Sequence, residues 1–251
     1  MTRFTTFAAA VAMVFAVASP GFGVIFMDED FDSLTSGQGI IAQGAPGWAK
    51  SAAGGDPQIA TGSPFTGNYI DGVALDDPNF NNLFYTLPTA ITGTNGGTSV
   101  QFSAKVNVQG NNQEFTFKDD ANLRFLIVTA IGGAGEFRLT AGTGQNTSAG
   151  FNQTDVVAID GTIDFATEAV SMTFTQGATS ETLNDTGFFA EGTGAGMNVL
   201  DIFWDGRSAV TAPGFNVDEI LLQDVPEPTS ILLISLGLVG LTLAGRRRRN
   251  G

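Results

Sequence analysis

The sequence predicts an all-β fold. It reads as a jelly-roll β-sandwich flanked by an N-terminal signal peptide and a C-terminal single transmembrane helix. Three observations lead there. Several short runs alternate apolar and polar residues, the period of a strand with one buried face. Gly and Asn punctuate the chain at short intervals, and Gly makes up 33 of 251 residues, about double its usual share of roughly 7%. Both ends carry long uncharged apolar runs beside Arg, whereas almost every acidic residue lies between them.

Taken in order, residues 1–23 form the first element. Met1-Thr2-Arg3 supplies one cation, and Phe4 to Ala18 is uncharged. This is the charge-then-apolar layout of a secretory signal peptide. Ala16-Val17-Ala18 offers cleavage after Ala18, and Gly21-Phe22-Gly23 offers a second site. An uncleaved anchor is the alternative. Asp28-Glu29-Asp30 then opens the mature surface, at a new chain end where order is expected to be poor.

Residues 24–224 form the exported domain. It holds 24 of the 25 acidic residues against six basic ones, a formal charge of −18. Such a body repels phosphate backbones, so nucleic acid is excluded as a partner. Val100, Phe102, Ala104, Val106 and Val108 alternate with polar residues, and Val170, Met172 and Phe174 repeat the pattern. Denser apolar runs at 123–131, 136–141, 155–159, 200–204 and 216–222 are further strands, joined by 68–75 and 83–87. Turns are expected at Asn95-Gly96-Gly97, Gly110-Asn111-Asn112, Gly132-Gly133, Asp160-Gly161 and Gly192 to Gly196. No helical period and no repeat of fixed length runs through the body. Nine or more short strands at this spacing favour a sandwich over a parallel α/β sheet. The 21 Phe residues suit it, since each buries apolar area with no polar atom to satisfy.

Phe31-Asp32-Ser33-Leu34, Gly37-Gln38, Gly47-Trp48 and the closing run Phe215 to Leu222 resemble concanavalin A-like (LamG-type) jelly rolls. The resemblance implies the fold and leaves the ligand open. Galactose-binding-like jelly rolls read almost the same.

The chain has no Cys and no His. Disulfides, thiolate nucleophiles, Ser-His-Asp triads and Cys- or His-based metal sites are therefore excluded. A glycoside hydrolase would need paired carboxylates, and the Glu-x-Asp-x-Glu spacing of one group of such folds is absent. The body is expected to be non-enzymatic, with no catalytic residue, no metal site and no cofactor. One oxygen-rich segment, Asp76-Asp77-Pro78-Asn79-Phe80-Asn81-Asn82, could hold structural calcium, although a solvated turn explains it as well. Sugars stack on exposed aromatic faces, which makes Trp48 and Trp204 the candidate carbohydrate-binding residues.

Residues 225–251 form the last element. Val225-Pro226-Glu227-Pro228 precedes 17 uncharged residues, Thr229 to Gly245, followed by Arg246, Arg247, Arg248 and Arg249. At about 1.5 Å per residue the run spans roughly 25 Å, enough to cross a bilayer core. The prolines mark its start, and the Arg cluster stays cytoplasmic. This order of parts resembles the PEP-CTERM sorting signal of bacterial exported proteins. The resemblance implies recognition by an exosortase, a membrane-embedded cysteine transpeptidase, with Pro226, Glu227 and Pro228 read at the cut. It also implies a transient inner-membrane anchor and a stop-transfer Arg tail. The expected protein is thus exported to the cell surface or extracellular matrix. Its expected partners are the exosortase and inner membrane during sorting, and extracellular polysaccharide as a candidate ligand. A permanently anchored single-span protein is the rival.

Overall fold

Among the described residues fifteen strands build the body, and every pairing between them is antiparallel. A computed structural model describes residues 24–51, 56–72, 81–92, 99–108, 113–142, 144–148, 150–152, 155–189, 196–204 and 215–225. The expected signal peptide, the C-terminal helix, and the Asp76 to Phe80 part of the oxygen-rich segment lie outside them. Within the described residues no helix is long and apolar enough to cross a membrane. The body is one compact unit, Ile25–Asp224.

In chain order the strands are β1 (Ile25–Glu29), β2 (Trp48–Lys50), β3 (Gln58–Thr61), β4 (Asn68–Asp71), β5 (Asn81–Thr92), β6 (Ser99–Val108), β7 (Gln113–Lys118) and β8 (Arg124–Ile131). They continue with β9 (Glu136–Ala141), β10 (Asn146–Thr147), β11 (Val156–Asp164), β12 (Ala169–Gln176), β13 (Thr179–Thr186), β14 (Gly196–Trp204) and β15 (Phe215–Asp224). One sheet has eight strands in the order β13-β12-β11-β6-β15-β4-β3, with β1 also paired to β15. The other has seven, in the order β10-β9-β8-β7-β14-β5-β2. Neighbours in space are often remote in sequence, as for β6 beside β15, which is the signature of a jelly roll rather than a meander.

The core lies between the sheets. Every apolar residue of the alternating run Val100 to Val108 is buried, as are Val170, Met172 and Phe174. Aromatic rings cross the gap. Phe102 of the eight-stranded sheet meets Phe115 and Phe117 of the other edge-on at 5.4 and 5.0 Å, and Phe174 stacks on Phe137 at 4.5 Å. Such pairs contribute about 0.5–1.5 kcal/mol each beyond their area.

Two expectations fail. Asp160-Gly161 is not a hairpin turn but lies inside β11, where Gly161 pairs with Phe102 on one side and Met172 on the other. The glycine answers crowding: a Cβ there would meet Met172 Sδ at 2.1 Å and the Ser171 carbonyl at 2.7 Å. The acidic start of the body is not loose either, because Asp28 and Glu29 belong to β1 and pair with Leu221 and Ile220 of β15. Gly132 and Gly133 form a single 3-10 turn closed by Gly135 at φ 66°. The expected turns at 95–97 and 110–112 lie outside the described residues, as does 192–195, and Gly196 opens β14.

Candidate functional site

Trp48, a candidate stacking platform, does not present its ring to solvent. It points into the core from β2 and is only 7% exposed. Tyr85 packs against it at 5.0 Å and Phe31 at 6.0 Å, and its Nε1–H donates to Glu29 Oε2 at 3.0 Å. The indole instead joins the edge strand of one sheet to β1 of the other. Burial pushes the Glu29 carboxyl up, against the pull of the indole hydrogen bond, and Asp30 and Asp28 push it further. Gly47 at φ 80° is required beside this cluster, since a Cβ would press on the Tyr85 ring at 2.8 Å. For Trp204, the backbone closes β14 opposite Asn81, and its side chain lies outside the described residues.

The chemistry gathers elsewhere, on the outward face of the seven-stranded sheet. Strand β7 alternates Phe115 and Phe117 inward with Glu114, Thr116 and Lys118 outward. Thr116 faces Asp201 of β14, which in turn faces Phe84 of β5. The Asp201 carboxylate takes Lys118 Nζ at 2.7 Å on Oδ2, and it accepts from Asn82 Nδ2 at 2.8 and 3.0 Å. Lys118 lies over the Phe84 ring at 4.9 Å. This outward group is nevertheless enclosed, with side-chain exposures of 16% for Lys118 and 4% for Asp201. Its neighbours Thr116, Ile127, Thr129 and Thr140 are also buried. Further along, Thr129 donates to Glu114 at 3.4 Å, and Arg138 of β9 stands opposite Thr129. The Arg138 Nε is buried with no hydrogen-bond partner among the described residues.

The eight-stranded sheet carries a second group beside a bulge in β15. Asp218 is buried, and Glu219 adopts φ 49°. Asp218 Oδ1 accepts the Glu219 amide at 2.8 Å, and Glu219 pairs with Lys105 at 2.5 Å. Burial pushes the Asp218 carboxyl up to about 6. The Glu219 amide opposes this, the charges of Glu219 and Asp32 add to it, and Lys105 opposes it. Among the described residues no cluster of carboxylates is suited to a metal ion.

The recessed Lys118–Asp201–Asn82 group was invisible in the sequence. Asn82 and Asp201 are 119 positions apart, and no local pattern links them. The alternation Glu114 to Lys118 was the available signal, hidden by the Asp119-Asp120 pair that follows it.

Residues 224–249 match a family model, the PEP-CTERM protein-sorting motif. The chain carries a PEP-CTERM sorting signal. The motif begins at Asp224, the last residue of β15, so the signal follows the closing strand directly. Pro226, Glu227 and Pro228, the expected recognition residues, and the expected stop-transfer run Arg246 to Arg249 fall within the matched range and lie outside the described residues. No curated protein matches the chain. Among solved structures, lectin II from Ulex europaeus is similar at TM-score 0.54 and 10% identity, over 80% of this chain and 100% of that one. Lectin UEA-II complexed with galactose follows at 0.52 and 10%, over 82% and 100%. A sialidase gives 0.51 and 12% over 80% of this chain, which spans only 18% of the sialidase. The body ahead of the signal therefore shares the jelly-roll fold of these lectins.

Proposed function

We propose that this is an exported, non-enzymatic surface or matrix protein, held transiently in the inner membrane and released by an exosortase that cuts near Pro226. The PEP-CTERM match at 224–249 carries the reading. The placement of the motif supports it, because a cut beyond β15 leaves the closing strand, paired to β6, β4 and β1, whole. On the non-enzymatic side, Asp201 is already neutralised by Lys118 and held by Asn82. Intact-mass measurement of the surface fraction tests the sorting. The expected species lacks Arg246 to Arg249, and a mature protein retaining them overturns it.

A second reading is a carbohydrate-binding body. The lectin-like fold fits it, and so does the outward face of the seven-stranded sheet. There Phe84 and Phe203 are half-buried, and Arg138 Nε is a buried donor awaiting an acceptor. A glycan screen of the processed protein should give hits that Phe84→Ala and Arg138→Ala both abolish. Binding that survives both changes places the ligand elsewhere.

A further inference from the structure

We propose that Lys118 and Asp201 condense to an intramolecular isopeptide bond, a covalent staple between neighbouring strands β7 and β14. The chain has no Cys, so no disulfide can do this work. The observations that point to it converge on one carboxyl group. Lys118 Nζ sits 2.7 Å from Asp201 Oδ2, so the amine nitrogen is already in contact with the group it would attack. Both side chains are fixed on strands of one sheet, with Val199 opposite Lys118 and Thr116 opposite Asp201. Reacting groups held this way reach effective concentrations of roughly 10⁵ M or more. Their low exposure of 16% and 4% keeps bulk water from the bond once it forms.

The surrounding residues suit the step. Asn82 Nδ2 donates to both Asp201 oxygens, at 2.8 and 3.0 Å, which holds the carboxyl group and places donors where the tetrahedral oxyanion would develop. The Phe84 ring under the ammonium replaces water there with an apolar, polarisable face. The balance closes within the pair. One proton passes from the Lys118 ammonium to the Asp201 carboxylate. The amine lone pair then forms the Nζ–Cγ bond, the C–OH bond breaks, and the hydroxyl leaves as water with a second nitrogen proton. Nothing is oxidised or reduced. No cofactor is consumed.

Peptide mapping of the denatured, trypsin-digested full chain tests this. A Lys118 amide blocks cleavage after residue 118, so the expected product joins residues 106–124 to residues 139–207 and is one water lighter than the two peptides together. Lys118→Arg keeps an ion pair but removes the nucleophile, and should release the two regions as separate peptides. Asn82→Ala should lower the cross-linked fraction several-fold. Recovery of residues 106–118 and 139–207 as separate peptides in full yield from the wild-type chain overturns the proposal. So does a cross-link that persists in Lys118→Arg.

Discussion

The two outward faces of the sandwich share one backbone geometry and differ in almost everything above it. On the seven-stranded sheet, the outward positions of β7 and β14 are ionic and enclosed, with Lys118, Asp201 and Asn82 bound to one another. On the eight-stranded sheet, the outward positions of β11, β12 and β13 are small and open. Thr173 bonds Thr182 at 2.8 Å and Thr175 bonds Ser180 at 3.1 Å, with exposed Asp160 and Thr162 alongside. An ion pair out of water stands or falls with both partners. A hydroxyl ladder in water exchanges its bonds with solvent at little net cost. The same strand period therefore builds an enclosed ionic group in which single changes matter and, on β11 to β13, an open hydroxyl ladder in which they do not.

The sharpest way to break that contrast is Asp201→Ala. It leaves the Lys118 ammonium enclosed with neither counter-ion nor covalent link and should cost about 3 kcal/mol or more, read as a lower urea midpoint. The paired change Lys118→Met with Asp201→Leu gives up the same link without leaving a buried charge, and should lose less. Asn82→Ala comes next, at about 1–2 kcal/mol, because two hydrogen bonds to a carboxylate disappear.

The covered end of the eight-stranded sheet sharpens the comparison through pH. Asp218 binds its proton up to about pH 6 in the fold, above the ordinary carboxyl value of 3.8. The folded state therefore holds more protons than the unfolded chain between those values, and stability falls as pH rises through them. Asp218→Asn should flatten that slope in urea titrations run from pH 4 to pH 7, and an unchanged slope would falsify the assignment. The smallest effect belongs to the open hydroxyl face. Thr173→Val with Thr182→Val removes both partners of an exposed bond, and should shift stability by no more than about 0.5 kcal/mol.

Much of the fold was legible in the sequence. Val100 to Val108 and Val170 to Phe174 announce their strands because one buried face imposes a period of two, and Glu136 to Ala141 matches β9 residue for residue. Strand β13 was missed because Thr179 to Thr186 buries only Leu183 fully, leaving no apolar alternation to see. Gly161 was misread because a glycine demanded by packing and one demanded by a turn look alike in one dimension. Trp48 was misread for a related reason: its partners Glu29 and Tyr85 arrive from two other strands.

By itself, then, the sequence determined the sorting signal, the all-β class and the inward residues of its clearest strands. Each of these rests on neighbours along the chain: a motif, a hydrophobic period, a charge run. Tertiary structure alone decided that Trp48 is core, that burial pushes the Asp218 carboxyl up, and that Lys118 meets Asp201 over Phe84. Those facts depend on which strands lie side by side and on how much water they exclude. In a jelly roll, strands that lie side by side are often far apart in sequence.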